Sequence, residues 1–289
     1  MKIKGLFIGL VTVVIWGVTF VNTKSLLADF NSFEILFVRF LAAYVALWLI
    51  HPHRFRVEGW REELTFAGMG LSGVAAYQFL ENLAISHTNA SNVAILVSTC
   101  PMGAAILSQI FLKERSLTRR FVIGFVLAVS GVALVCLGGI RAFHFRPVGD
   151  LIALGAMGCW SVYSVLITRV NRKGYGPMVA IRRTFFWALV FMLPFLPFGF
   201  TFDWTVNSER FSQGLNLLNL GFLGFLASAL AFVLWSKTCK MLGTVRATCG
   251  LYFIPVVTAV VAYFTLGESL TAMTGLGAIL TILGVIICG

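Results

Sequence analysis

The sequence has few charged residues, and this scarcity excludes a water-soluble protein. Only 11% of the residues are charged, 59% are hydrophobic, and the mean hydropathy is +0.92. A soluble domain carries about 25% charged residues, most of them on its surface. We therefore expect the chain to lie in a lipid bilayer.

Acidic residues are scarcer than basic ones, 11 against 22, so the net charge is +11. A nucleic-acid partner would require these cations to cluster on one folded soluble face. They lie instead in short connections between apolar runs, as in multi-pass membrane proteins. We expect no nucleic-acid partner.

Motifs for catalysis and metal binding are also missing. The chain has no HExxH, GxSxG or GxxxxGK[ST] motif, which argues against an intramembrane enzyme and an ATP-driven pump. Its six cysteines lie in apolar runs without CxxC spacing, and its four histidines lie in connections. We expect no disulfide framework, no metal site and no cofactor.

Long apolar runs are what the sequence does contain. A bilayer core about 30 Å thick needs about 20 apolar residues per helix. Ten runs approach this length, at 5–23, 33–50, 64–85, 92–112, 121–140, 151–168, 177–200, 214–236, 247–266 and 271–289. The sequence predicts an all-α integral membrane protein with ten transmembrane helices.

The chain contains one unit twice. In each copy a tryptophan precedes an arginine by 23 residues, and a proline precedes a lone acid by 13. Glycines seven residues apart follow the acid in both copies. The matching pairs are Trp16 and Trp160, Arg39 and Arg183, Pro101 and Pro255, and Glu114 and Glu268. We predict a first repeat at 1–140, a connection at 141–150 and a second repeat at 151–289.

The basic residues of the connections predict the orientation. Fifteen lie on one side of the successive runs, which we call the basic face, and four lie on the other. The positive-inside rule places the basic face and both termini in the cytoplasm, with the chain in a bacterial inner membrane. Because each repeat has five spans, the second must be inverted. Inverted repeats are typical of secondary transporters, which bind substrate near the midplane between the repeats.

Four stretches carry a resemblance to a known family: TVVIWGVTF in the first run, the arginine of the second, FLKERSLT, and LGESLT in the second half. They resemble the EamA-type members of the drug/metabolite transporter superfamily. Within it, the length and general pattern are most similar to the bacterial aromatic amino-acid exporters of the YddG group. The second copy departs by having Ser161 where the first has Gly17. The two tryptophan positions therefore need not have the same role.

Two aromatic positions are candidates for the substrate site. Trp16 and Trp160 lie in the middle of their runs, away from the interface where tryptophan is enriched, and a buried indole needs a partner for its N–H. Tyr163 lies one turn after Trp160 on the same helical face. These side chains either line a cavity or pack between helices.

The third and fourth runs carry polar candidates. Tyr77, Gln78, Glu81 and Asn82 fall on one side of a helix, which should face inward because polar groups facing lipid are costly. Glu81 is predicted either as a proton or substrate-amine site or as a rim residue that meets water. Ser98 is predicted either to bind substrate or to form a hydrogen bond with a neighbouring helix.

The prolines inside the fourth and ninth runs are further candidates. Pro101 and Pro255 each free a backbone carbonyl within a span. Broken helices of this kind can face a binding cavity; the alternative is an ordinary kink.

The arginines inside the runs should have partners, since each costs roughly 2.5–3.5 kcal/mol at the centre of a span. For an inverted repeat we predict pairs across the halves, Arg39 with Glu268 and Arg183 with Glu114, which form and break as access alternates. The alternative is that both arginines extend to lipid phosphates and both acids face water.

These features predict a secondary transporter that exports small amino acids, preferentially aromatic ones, by alternating access. Its partners would be a small-molecule substrate and the bilayer, and the protein would be a monomer or weak homodimer. A carrier of nucleotide sugars or sugar phosphates, a cationic-drug antiporter and a channel-like protein remain alternatives.

Overall fold

The computed structural model describes residues 2–52, 57–88, 90–137, 146–266 and 271–288, and the regular structure of these residues is helical. Ten long helical stretches run through them, with one short helix, Trp204–Ser212, between the seventh and eighth. The continuous helices are α1 (Lys2–Leu26), α2 (Ser32–Ile50), α5 (Arg119–Leu137), α6 (Pro147–Arg172) and α10 (Ala272–Cys288). The interrupted ones are α3 (60–87), α4 (90–112), α7 (177–199), α8 (214–242) and α9 (244–266).

Eight of these stretches are long and apolar enough to cross a membrane: α1, α2 and α4 to α9. The tenth, α10, is apolar but shorter. The third, α3, is a 28-residue stretch that carries the charged residues Arg61, Glu62, Glu63 and Glu81. The described residues are thus helical, as predicted, with eight candidate membrane spans; the predicted number of ten transmembrane helices is not confirmed.

Two stretches contain π-helical turns at matching places. In α3 the α-helices Trp60–Gly70 and Ala76–His87 flank the π-helix Leu71–Ala75. In α8 the π-helix Phe222–Leu230 lies between Gly214–Gly221 and Ala231–Leu242. The π segments end 155 residues apart, close to the 154 that separate Pro101 from Pro255. π-Helical turns are frequent at functional sites.

The fourth and ninth stretches are interrupted just before their prolines. The helices Ala90–Val97 and Cys100–Leu112 are separated at Ser98 and Thr99, and Pro101 lies in the first turn of the second helix. In α9 a 3₁₀ turn, Gly250–Tyr252, separates Thr244–Cys249 from Phe253–Leu266. A proline is tolerated in a first turn because it needs no N–H partner there.

Close glycine contacts join α5 to α10. A methyl group on Gly124 would collide with the backbone of Gly284 and Cys288, and one on Gly277 with the backbone of Gly131 and Val135. Without side chains at these positions, the two helices approach until their backbones touch. Elsewhere α1 packs on α8 and α9, α6 packs on α3 and α4, and α2 packs on α7 and α8.

A buried ion pair lies at the face opposite the basic one. Glu34 begins α2 in a capping box with Asn31, and its carboxylate accepts two hydrogen bonds from Arg210 at 3.0 and 3.1 Å. The Glu34 side chain is 1% exposed and that of Arg210 11%. Arg210 lies in the short helix between α7 and α8, so this pair ties that connection to the start of α2.

Candidate functional site

An aromatic cluster lies where α1, α3, α6 and α8 meet. The rings of Trp16 and Trp160 contact edge to face, with centroids 5.9 Å apart. Phe232 of α8 contacts both tryptophans, at 5.4 and 6.4 Å, and Trp235 lies 5.3 Å from Trp16. The Tyr163 ring lies 5.1 Å from Trp160, tilted by 46°. The structure therefore brings together tryptophans that are 144 residues apart in the chain.

The two tryptophans are buried and differ in hydrogen bonding. Trp16 is 7% exposed and Trp160 is 6% exposed. The Trp16 indole donates to the carbonyl of Ala227, in the π-helix of α8, at 3.0 Å. Among the described residues, Trp160 Nε1 and Tyr163 Oη have no hydrogen-bond partner. Both rings therefore serve packing in this conformation, and Trp160 leaves a buried donor unused.

The polar face of α3 borders this cluster. Tyr77 lies 5.1 Å from Trp160, and its hydroxyl donates to Glu81 Oε1 at 3.1 Å. Tyr77, Gln78, Glu81 and Asn82 are all partly exposed rather than buried. Because Tyr77 contacts Trp160 and bonds Glu81, it places a carboxylate beside the aromatic rings.

Arg39 approaches the same region from α2. It is 8% exposed, donates from Nε to the Ser228 hydroxyl at 2.9 Å, and lies 5.2 Å above the Phe40 ring. Arg39 lies on α2, which contacts the Ala76–His87 part of α3, where Glu81 lies. The predicted partner Glu268 lies outside the described residues.

The predicted pairing of Arg183 with Glu114 is wrong for this conformation. Arg183 donates to Glu63 Oε1 at 2.7 Å, and Trp187 donates to the same oxygen at 2.6 Å. Glu114 pairs instead with Arg172, at an exposed position. Glu63 could not be predicted as the partner of Arg183, because it precedes an apolar run and has no matching acid in the second repeat. It nevertheless lies at the same depth in the membrane as Arg183.

The proline breaks lie beside the two tryptophans. The Cys100 carbonyl, next to Pro101, accepts a hydrogen bond from Ser161 at 3.4 Å. Thr258, three residues after Pro255, donates to the Gly17 carbonyl at 2.9 Å. Each break therefore contacts the residue that follows a cluster tryptophan. Ser98 donates to the Ile95 carbonyl at 2.6 Å, within its own helix.

Phe232 and Trp235 are cluster residues that the sequence did not single out. Aromatic residues in an apolar run carry no signal of their own. The repeat does offer a signal. Positions 232 and 235 lie 154 residues after Gln78 and Glu81, the offset that relates Pro101 to Pro255, so they are equivalent to two predicted site residues. Within the described part of the chain, no group of His, Cys, Asp and Glu could hold a metal ion.

The family model described as the EamA-like transporter family matches this chain twice, over residues 3–137 and 147–289. The chain belongs to the EamA-like transporter family. This family, and the names of the relatives of this chain, indicate a transporter rather than an enzyme.

Named relatives of this EamA-family chain include amino-acid exporters. It is 28% identical to a probable terminal-alkyne amino-acid exporter of Streptantibioticus cattleyicolor, over 98% of this chain and 93% of that protein. It is 26% identical to a probable amino-acid metabolite efflux pump of Salmonella typhimurium, over 99% and 95% of the two chains. A solved protein structure matches with a TM-score of 0.77 at 20% identity, covering 99% of this chain and 96% of that one, which supports the fold.

Proposed function

We propose that this EamA-family protein is an inner-membrane secondary transporter that exports small amino acids, preferentially aromatic ones, by alternating access. The observation that carries the proposal is the meeting of three chemistries at one place between the halves. Aromatic rings of α1, α6 and α8 form one cluster, and Tyr77 links the Trp160 ring of this cluster to the Glu81 carboxylate. Arg39 lies on α2, which contacts both α8 and the part of α3 that carries Glu81.

Each chemistry matches one part of an aromatic amino acid. The substrate ring would stack on Tyr77 and the Trp160 edge, since offset and edge-to-face contacts of aromatic rings are favourable. Its ammonium group would bind Glu81, and its carboxylate would bind Arg39, which suits planar carboxylates. The half-buried Gln78 and Asn82 can complete the hydrogen bonds of these two groups.

The proposed architecture is a pair of inverted five-helix repeats joined at 141–150, the first half of which lies outside the described residues. The two matches of the family model support it, as do the matching π-helices and proline breaks. The repeats would place the cavity near the midplane. Both termini would lie in the cytoplasm.

The present conformation would be closed towards the cytoplasm. At the basic face Thr168 and Thr244 hydrogen-bond through their hydroxyls, and Asn171 donates to the Ser236 carbonyl at 3.2 Å. There α4 also packs on the start of α9. In the described part of the chain, α1 has no comparably close packing with α3 or α4 at the opposite face. A substrate would therefore enter or leave through that face.

Counterflow in liposomes with labelled phenylalanine tests the proposal. Unlabelled phenylalanine should compete well, whereas phenethylamine, without the carboxylate, and phenylpropionate, without the amine, should compete poorly. Glu81→Gln should weaken phenylalanine transport at least tenfold, because the substrate ammonium group would lose its charged hydrogen-bond partner. Glu209→Gln, the same change at an exposed residue of the short helix between α7 and α8, is the matched control. No phenylalanine flux above empty vesicles would reject the substrate class.

A cationic-drug antiporter is the second candidate, and Glu81 is the observation that favours it. An acid beside aromatic rings within the membrane suits a flat organic cation. In the same assay, strong competition by phenethylamine and by a cationic dye, without competition by phenylalanine, would select this function.

A further inference from the structure

The indole groups of Trp16 and Trp160 occupy matching positions, yet only one of them is hydrogen-bonded. Trp16 Nε1 donates to the Ala227 carbonyl, whereas Trp160 Nε1 is buried and has no partner among the residues that the structure describes. A buried donor left unsatisfied costs about 1–3 kcal/mol. We propose that the two indoles exchange roles during the transport cycle, so that Trp160 Nε1 donates to the Gly73 carbonyl in the opposite access state while Trp16 releases Ala227. The inference rests on the alternating access proposed above.

Neither water nor substrate can supply the missing acceptor in this conformation. Trp160 is 6% exposed, and its Nε1 has essentially no accessible surface. Phe232, Trp235, Tyr77 and Tyr163 surround the ring. The acceptor must therefore come from a rearrangement of the helices.

The repeat identifies that acceptor as Gly73. Ala227 lies in the π-helix of α8, and the residue 154 positions earlier is Gly73, in the π-helix of α3. The same offset relates Gly224 to Gly70, and the structure confirms that these two are equivalent. A methyl group on Gly224 would meet α2 at Ala42, and one on Gly70 would meet α7 at Thr184 and Ala188.

The chain around Gly73 already adjoins α6. The Tyr163 ring lies where a side chain of residue 73 would be, so α6 and α3 are in contact one turn from Trp160. The carbonyl of a helical residue can accept a second hydrogen bond, because its oxygen has two lone pairs.

Inverted repeats give the direction of the exchange. In such a protein the opposite state arises when each half adopts the conformation that the other half now has. The half that contains α6 is now closed, through Thr168 with Thr244 and Asn171 with Ser236. In the opposite state the first half closes, and the Trp160 indole takes the environment that Trp16 now has. Each state then leaves one indole of the Trp16 and Trp160 pair unsatisfied, so the cost of that unsatisfied donor favours neither state.

Two cysteine pairs can hold the two states in the absence of any substrate. Thr168→Cys with Thr244→Cys should cross-link in the present state, because their hydroxyls touch. The repeat offsets make Lys24 and Ala90 their counterparts, so Lys24→Cys with Ala90→Cys should cross-link in the opposite state. Both pairs are built in a chain whose six cysteines are replaced by alanine or serine.

Indole N–H resonances of the cross-linked proteins, labelled with ¹⁵N-tryptophan, test the exchange directly. The chain has seven tryptophans, and Trp16→Phe and Trp160→Phe assign the two signals. A hydrogen-bonded indole N–H resonates downfield. The downfield signal should come from Trp16 in the protein cross-linked between residues 168 and 244, and from Trp160 in the protein cross-linked between residues 24 and 90. An unchanged Trp160 resonance in the two forms would overturn the proposal.

The same two substitutions provide a second readout that packing alone would not produce. Trp16→Phe should lower the cross-linking yield of 168/244 relative to 24/90, and Trp160→Phe should raise it, each on the order of fivefold. Shifts in the same direction, or failure of 24/90 to cross-link at all, would also reject the exchange. Loss of amino-acid transport with the exchange intact would reject only the proposed substrate.

Discussion

At the residue scale, the partners of the charged side chains are what the sequence predicted least well. Both intramembrane arginines have partners, as expected, but Arg39 bonds a serine hydroxyl and Arg183 bonds Glu63. Nothing in the sequence of an apolar run indicates that a serine in it accepts a hydrogen bond from a buried arginine. The position of each arginine in its apolar run predicts its depth in the membrane. The partner also depends on how the facing helix is rotated about its axis, and the sequence does not give this rotation.

The two kinds of acid–base pair in this protein should differ greatly in their effect on stability. Glu34 is 1% exposed and holds Arg210, whereas Glu114 and Arg172 are 39% and 52% exposed. Glu34→Gln should lower the free energy of unfolding by about 3–5 kcal/mol, because it leaves a buried guanidinium without its counter-charge. Glu114→Gln should lower it by about 1 kcal/mol or less.

Thermal unfolding in detergent measures both variants side by side. Adding Arg210→Met to Glu34→Gln should recover part of the loss, because the unpaired charge is then removed. Equal effects of Glu34→Gln and Glu114→Gln would contradict the structural role assigned to the buried pair.

At the element scale, most helices could be predicted and their interruptions only in part. Run lengths and prolines located nearly all the spans and the breaks in α4 and α9. The π-helices of α3 and α8 were not foreseen, because the extra residue of a π turn leaves no composition signal. Polar residues on one side of α3 predicted an inward face, and Tyr77 and Glu81 do adjoin the cluster.

The π-helical turn of α3 should be intolerant of added volume. Gly73→Ala would place a methyl group within the Tyr163 ring, so we expect a loss of about 1–3 kcal/mol and weak transport. Gly158→Ala is the control, since in the described part of the chain no other atom beyond its own helical turn lies within 4 Å of the added methyl group. Alanine favours a helix over glycine, so this control should be neutral or more stable.

Thermal unfolding and counterflow of both glycine variants check this expectation. Tyr163→Leu combined with Gly73→Ala should regain stability relative to Gly73→Ala alone. If Gly73→Ala behaved like Gly158→Ala, the close contact of α3 with α6 would not be needed.

At the scale of the whole molecule, the sequence predicted the class of fold because hydropathy and repetition are read directly from residue order. Apolar content placed the chain in a membrane, and the family match agrees with the resemblance found in four short stretches. The composition of the cluster could not be predicted in full. Phe232 and Trp235 come from a run that is apolar all round, so only the folded structure reveals which side faces the site.

The glycine contacts between α5 and α10 have a consequence for assembly. Gly124 and Gly131 meet Gly284 and Gly277, so each half presents the same kind of surface to the other, as two subunits do across a two-fold dimer interface. Such an interface does not depend on a covalent link. Fragments 1–141 and 142–289, co-expressed from separate genes, should find each other in the membrane and co-purify through a tag on either one. Gly131→Leu should abolish this complementation, whereas Gly275→Ala, which meets no neighbour, should not.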